Sequence, residues 1–264
     1  MNSEIRVGIA GYGKVGKIRK KILDKISGLS VVAISDKVIK RNEKNKKIKF
    51  FDNYKKLLKE NLDVVFISLP NKFASDASII AIKNKINVFC EKPPARNILE
   101  LKKVLNAYKK SKKKIKIKYG FNHRYHDSIF LAKKIIVSKK YGKVINLKGI
   151  YGKNKITPFT GGWRSKKSIA GGGILLDQGI HLLDLMRFFC GEFDEIKSLV
   201  NNNFWKHSIE DNAYAIMRSR KNIVAMVHST ATQWQNQFRI EITLERALIT
   251  LSGILSASKT YGQE

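Results

Sequence analysis

Cysteine is nearly missing from this chain of 264 residues, which has only Cys90 and Cys190, far apart in sequence. Neither has a Cys-x-x-Cys or histidine spacing around it, which excludes a disulfide scaffold and a structural zinc site. Long apolar runs are missing as well. Met1 to Ala10 has no stretch of signal-peptide length, and no later segment approaches the roughly 20 apolar residues of a membrane span. These absences predict a reduced, cytoplasmic protein with no membrane association.

Acidic residues are scarce: 21 Asp and Glu stand against 52 Lys and Arg, a formal net charge of +31. Arginine is scarce among the basic residues, with 41 Lys to 11 Arg, and the excess is spread along the chain, +21 over residues 1–120 and +10 over residues 121–264. Readers of nucleic acid favour arginine for its bidentate fork and aromatics for stacking. The densest basic run, Lys109, Lys110, Lys112, Lys113 and Lys114, is all lysine with no aromatic between its members. The charge therefore reads as solvated lysine faces, and no nucleic-acid partner is expected. Long-range attraction of an anionic substrate survives that reading.

Apolar residues make up 43% of the chain and occur in clusters throughout, so a sizeable core can form and disorder is excluded. Ile5, Val7 and Ile9 alternate in a short strand from Ile5 to Ala10. The spacing of Val15, Ile18, Ile22 and Ile26 then predicts a helix. Strands are expected at Leu29 to Ser35, Asp63 to Leu69 and Asn87 to Cys90, with Ile115, Ile117 and Tyr119 forming the last of the unit. Between them fall a charged stretch, a short helix near Asn53 to Glu60, a helix over Ala74 to Asn84 and another carrying Leu99 to Tyr108. Strand and helix in alternation is the doubly wound α/β pattern of a Rossmann fold.

After Tyr119 the pattern changes. A helix from Ser128 to Ser138, a strand from Val144 to Tyr151, a glycine-rich loop from Thr160 to Gly173 and one helix from Ile174 to Phe189 precede five strand-like runs. These predict a second, α+β domain with a largely antiparallel sheet. The expected organisation is a dinucleotide-binding domain over residues 1–119 and a substrate and oligomerisation domain over residues 120–264.

Gly11, Gly13 and Gly16 match G-x-G-x-x-G directly after a strand and at the start of a helix. Such a turn requires positive φ, close approach of a pyrophosphate to the backbone, and tight packing of helix on strand, and the helix N-terminus supplies free N–H groups. Asp36 stands 20 residues after Gly16, at a strand end where a carboxylate can accept hydrogen bonds from both ribose hydroxyls. A 2′-phosphate would be repelled there, which favours NAD(H). Lys37, Lys40 and Arg41 can neutralise such a phosphate, so NADP(H) stays open.

Leu69, Pro70, Asn71 and then Phe89, Cys90, Glu91, Lys92, Pro93 close successive strands. With Gly120 to Arg124, and Gly171 to Gly173 followed by Leu176, Asp177, Gly179, His181 and Asp184, they resemble the signatures of the glucose–fructose oxidoreductase, inositol dehydrogenase and rhizopine-catabolism family (Gfo/Idh/MocA). The resemblance covers nearly the whole chain. It implies a nicotinamide-dependent oxidoreductase acting on a secondary alcohol or ketone of a sugar, inositol or nucleotide sugar. It implies Lys92 and His181 as acid–base residues and Asp177 as a partner of substrate hydroxyl or histidine. Gly11, Tyr12, Gly13, Val15, Gly16, Asp36, Leu69, Pro70, Asn71, Glu91 and Lys92 would hold the cofactor. Arg124, Trp163 and Arg164 would line the substrate with Asp177 and His181, and assembly into a homo-oligomer through the second sheet is implied. The alternative is a non-catalytic NAD(P)-sensing regulator of the same fold.

Residue chemistry agrees. Ligands bind beyond the carboxyl ends of strands in an open parallel sheet, where Asn71, Glu91 and Lys92 project, and a lysine in a partly buried site can have a lowered pKa. Asp177, His181 and Asp184 at i, i+4, i+7 share one face of a helix, which fits either a proton-transfer site or a solvated salt link. Arg164, Lys166 and Lys167 favour an anionic sugar. His126, His207 and His228 receive no role. His123 and His126 have an x-x spacing with no evident third ligand, so no metal is expected. Two departures from the family are visible: Ala74 stands where many members have histidine, and the chain ends at Glu264 where members normally continue, so the last sheet is expected to be shortened.

Overall fold

The computed structural model describes residues 4–38, 47–111, 114–155 and 162–253. The chain divides into two compact units, residues 1–120 and 121–264. Lys40, Arg41, Thr160 and the chain end, on which the expectation of a shortened sheet rests, lie outside the described residues.

The first unit is a six-stranded sheet of β1 (Ile5–Ala10), β2 (Leu29–Ser35), β3 (Lys49–Phe51), β4 (Val64–Ile67), β5 (Asn87–Cys90) and β6 (Ile117–Tyr119). The order is β3-β2-β1-β4-β5-β6 and every pairing is parallel. The order reverses between β1 and β4, the switch point at which open α/β sheets leave a crevice beyond their strand ends. Helices α1 (Lys14–Leu23), α2 (Tyr54–Leu57), α3 (Asn71–Lys83) and α4 (Ile98–Lys110) connect the strands. Central strands are buried on both faces, as parallel sheets require: Val7, Ile9 and Ala10 of β1 are fully buried, as are Val65 of β4 and Cys90 of β5. Short β3 was not foreseen; its Lys49 and flanking lysines mask a three-residue pairing with β2 that burial of Phe50 and Phe51 only half completes.

Helix α1 forms where the apolar spacing predicts it, but Val15, Ile18 and Ile22 stay exposed and the buried residues are Gly16 and Leu23. The rotation of the helix is set by Gly16, whose missing side chain lets it lie against Gly11; a Cβ there would be 2.0 Å from the Gly11 carbonyl oxygen. Gly16 and Leu23, seven residues apart, then take the sheet-facing side, and the isoleucines are turned away.

The second unit opens with a 3-10 turn, Asn122–Tyr125, then α5 (Asp127–Ser138) and β7 (Val144–Asn154). A second 3-10 turn (Gly162–Ser165), α6 (Lys167–Ala170), a π turn (Leu175–Gly179) and α7 (Ile180–Cys190) follow. Strands β8 (Phe193–Asn201), β9 (Asn212–Ser219), β10 (Val224–Gln233), β11 (Gln237–Leu244) and β12 (Ala247–Ser252) complete it. The sheet order is β12-β11-β7-β10-β9-β8, antiparallel throughout except for the β7–β10 pair. Its core lies between one sheet face and helices α5 and α7, where Ile129, Leu182, Leu185 and Met186 meet Leu147, Val227, Ile240 and Ile242. The strict alternation of buried and exposed residues along β9 shows that the opposite face is open. That face presents Leu199, Tyr214, Ile216 and Met226, all exposed.

The predicted helix from Ile174 to Phe189 is interrupted at its start by the π turn, which contains Asp177. Gly179, the last residue of that turn, packs closely on β10: a Cβ there would be 2.7 Å from the Ser229 side chain. The wider turn shifts Asp177 relative to the α-helical phase assumed from sequence, and such turns recur at functional sites. Among the described residues, no helix is long and apolar enough to cross a membrane.

Candidate functional site

The cradle after β1 has the features a dinucleotide needs. Gly11 has φ +92°, and a Cβ there would be 2.5 Å from the Ser68 carbonyl oxygen. Gly13 faces open space, with nothing within 4 Å of a Cβ position. It is also the N-cap of α1, and no side chain caps it, so the first N–H groups of a ten-residue helix have no side-chain acceptor. The half-buried Tyr12 donates its backbone N–H to Asp36 Oδ2 at 2.7 Å, and Val38 N–H donates to Oδ1 at 3.1 Å. The carboxylate is thus fixed at the end of β2, and each oxygen keeps a second acceptor position for a ribose hydroxyl. Lys37 does not turn to Asp36 but lies over the Phe73 ring, 5.3 Å from its centroid. These residues fit a dinucleotide, with Val15 exposed on the first turn of α1.

Leu69 and Pro70 follow β4, and Asn71 begins α3, where it is buried. Glu91 and Lys92 follow β5, both half-buried. The Glu91 carboxylate is held by Arg19 of α1, whose Nε donates to Oε1 at 2.6 Å. Arg19 also lies over the Phe89 ring, 5.2 Å from its centroid. Sequence reading missed Arg19: it is three residues past the last motif glycine, and nothing local pairs it with a residue 72 positions away. Cys90, immediately before Glu91, is buried and its thiol is pushed up to about 12 by burial, so it is a packing residue here.

In the second unit, His181 and Asp184 of α7 are buried beside Leu182 and Leu185, which removes the solvated-face reading of that helix. Arg124, from the 3-10 turn, forks onto Asp184: Nε donates to Oδ2 at 2.7 Å and Nη2 to Oδ1 at 2.6 Å. The Asp184 bond holds the Arg124 guanidinium above its ordinary pKa. Arg124, expected on the substrate wall, thus has its charge matched by the Asp184 carboxylate. Asp177 Oδ1 lies 3.7 Å from Arg164 Nε, and the Arg164 guanidinium lies over the half-buried Trp163 ring, 4.4 Å from its centroid. The glycine-rich segment thus brings Trp163, Arg164 and Asp177 together.

The His181 ring lies parallel to that of His123, with centroids 3.9 Å apart and planes inclined by 11°. Phe121 meets His181 edge-on at 6.1 Å, and Tyr151 of β7 and Phe238 of β11 wall in His123 at 5.7 and 5.5 Å. In the sequence His123 stands within the Gly120 to Arg124 signature and in a discarded metal spacing with His126, without a role of its own. The available signals were that signature and its neighbour Arg124, already a candidate.

Comparison with known proteins matches these two halves. A family profile described as an oxidoreductase family with NAD-binding Rossmann fold (GFO_IDH_MocA) matches residues 5–119. A second, described as the GFO/IDH/MocA C-terminal domain, matches residues 130–250. Levoglucosan dehydrogenase of Pseudarthrobacter phenanthrenivorans is 32% identical over 145 residues, 53% of this chain and 36% of that enzyme. Myo-inositol 2-dehydrogenase of Thermotoga maritima is 26% identical over 236 residues, 86% of this chain and 68% of that protein. A crystal structure of the WlbA dehydrogenase from Bordetella pertussis in complex with NADH and UDP-GlcNAcA shares the fold, with TM-score 0.87 at 19% identity over 96% of this chain and 75% of that one. With its Rossmann half and its C-terminal half both matched, the chain belongs to the Gfo/Idh/MocA family of NAD-binding oxidoreductases.

Proposed function

We propose that the protein is an NAD-dependent dehydrogenase that oxidises a secondary alcohol of a sugar, inositol or nucleotide sugar, or reduces the matching ketone. The observation that carries this reading is the buried His181 imidazole, held on α7 one turn after Asp177 in a unit matched by the family's C-terminal profile. When bound, the nicotinamide supplies hydride transfer to or from the alcohol carbon. In the oxidising direction His181 accepts the hydroxyl proton while the C–H bond is lost as hydride, which leaves the carbonyl product. The Lys92 ammonium donates a hydrogen bond to the oxygen on which negative charge develops. Asp177 accepts from a substrate hydroxyl or from His181, and Trp163 and Arg164 line the substrate. Residues 1–119 bind the dinucleotide and residues 120–264 carry the substrate residues.

Arg164, Lys166 and Lys167 support an anionic substrate, such as a nucleotide sugar or sugar acid, through charge-assisted hydrogen bonds. Free, buried thiols at Cys90 and Cys190 go with a cytoplasmic setting. The open sheet face with Leu199, Tyr214, Ile216 and Met226 supports a homo-oligomer formed by packing that face on a second copy. Sedimentation of Ile216→Glu is expected to give the mass of one chain, 30.1 kDa, where the unaltered protein gives a multiple. An unchanged mass would place the interface elsewhere.

The function is tested by fluorescence titration with NADH and NADPH, followed by a spectrophotometric screen of polyols, sugar acids and nucleotide sugars. NADH is expected to bind more tightly than NADPH. Asp36→Ala is expected to weaken NADH by about ten- to a hundredfold and NADPH less, as loss of a charge-assisted bond costs about 1.5–3 kcal/mol. An equal loss for both would make the carboxylate purely structural, and turnover of none of these substrate classes would overturn the proposal.

A further inference from the structure

The geometry points to Glu210 as a positioning residue of the substrate site: from the loop before β9 it caps the turn that carries Asp177 and so sets that carboxylate against Arg164. This rests on Asp177 and Arg164 lining the substrate, as proposed above. The backbone carbonyl of Glu210 accepts the Ile174 N–H at 3.2 Å, and its Oε1 accepts the Leu175 N–H at 3.3 Å. Two of the N–H groups that open the helical run into α7 are thus satisfied by one residue, 35 positions from Leu175. A carboxylate at this end also faces the positive pole of the helix.

The approach depends on glycine. A Cβ at Gly173 would lie 2.0 Å from the Glu210 carbonyl oxygen, so only a residue without one lets the loop come this close. Gly173 passes the contact on, because its own carbonyl accepts the Asp177 N–H at 2.9 Å. Two residues before Glu210, the Ser208 hydroxyl donates to the Ser165 carbonyl at 3.1 Å and accepts the Lys167 N–H at 3.0 Å. One loop therefore grips both ends of the glycine-rich segment, the turn with Trp163 and Arg164 at one end and the turn with Asp177 at the other. Arg164 Nε and Asp177 Oδ1 stand 3.7 Å apart between them. His181 is anchored differently. Leu182, Leu185 and Met186 are fully buried in the core and fix α7 whatever the turn before it does. Losing the Glu210 side chain therefore affects Asp177 and substrate binding, and leaves proton transfer by His181 in place. The Ile174 bond is made by the main chain and survives substitution at this position, so the fold is retained.

The test compares Glu210→Ala, which removes Oε1, with Glu210→Gln, which keeps an acceptor oxygen at the same reach, both in the full chain. Backbone amide exchange read by mass spectrometry, with no cofactor or substrate, is expected to be about tenfold faster over residues 174–179 in Glu210→Ala and close to unaltered in Glu210→Gln. With whichever sugar, inositol or nucleotide sugar the screen above returns, Glu210→Ala is expected to raise KM about tenfold while kcat and NADH affinity stay within about threefold, and Glu210→Gln restores KM. Equal exchange in all three proteins, a Glu210→Gln protein that behaves as Glu210→Ala, or a fall in kcat at unchanged KM would overturn the inference. Should Glu210→Ala fail to fold, Glu210→Asp, whose carboxylate is one methylene short of Leu175, takes its place with the same expectations. Turnover of none of these substrates by the unaltered protein would instead overturn the proposed function, and the exchange comparison would then decide by itself whether Glu210 holds the turn.

Discussion

Lys92→Met is expected to lower turnover by about 10²–10⁴-fold, the range that a positioned proton donor or acceptor contributes, while NADH binds within about twofold of the unaltered protein. Lys92 stands two residues past the end of β5, on the carboxyl side of the parallel sheet, where ligands of such sheets bind. Methionine keeps the length and apolar stem of lysine and removes only the ammonium, so packing beside Pro93 is preserved. Glu91 next to it stays held by Arg19, which leaves the local backbone anchored to α1. A charge that acts on the developing alkoxide affects the rate and not the approach of the dinucleotide. Stopped-flow or steady-state turnover, set beside a fluorescence titration, separates the two. Unchanged turnover would remove Lys92 from the mechanism, and a parallel loss of NADH affinity would make it a cofactor ligand only.

Two glycines of one motif are expected to fail in opposite ways. Gly16→Ala should destabilise the first unit by about 2–4 kcal/mol, because the new methyl would sit 2.0 Å from the Gly11 carbonyl oxygen and backbone must move. Gly13→Ala should leave the denaturation midpoint nearly unchanged, since nothing lies within 4 Å of its Cβ position. That open space is where the pyrophosphate must approach the backbone, so NADH affinity should fall by at least tenfold. Urea denaturation and NADH titration of both variants check the pair. A stable Gly16→Ala protein would show that α1 does not lie against Gly11 as described, and a Gly13→Ala protein that binds NADH normally would show that the turn does not hold a dinucleotide.

Much of the fold was legible because local pattern and tertiary role coincide. β1, β2 and β5 occupy the ranges their apolar runs mark, and the change from alternating strand and helix to consecutive strands foretold the largely antiparallel second sheet. Gly11, Gly16 and Asp36 were legible because each acts within one βαβ unit: two close backbone approaches and a strand-end carboxylate that takes the Tyr12 N–H. The exposed isoleucines of α1 show the limit. Periodicity found the helix, but its rotation was decided by the approach of Gly16 to Gly11, which no apolar spacing records.

By itself, the sequence determined the order of strands and helices apart from short β3, the glycine turn with its acidic partner, and the helix bearing His181 and Asp184. Only the tertiary structure decided that Arg19 holds Glu91, that Arg124 matches Asp184, and that His123 lies flat on His181. Each of these joins groups 58 to 72 positions apart. Turn chemistry and periodicity act over a few residues and leave a signal in the local sequence; pairing of charges and stacking of rings across a unit depend on where whole elements pack, and leave none.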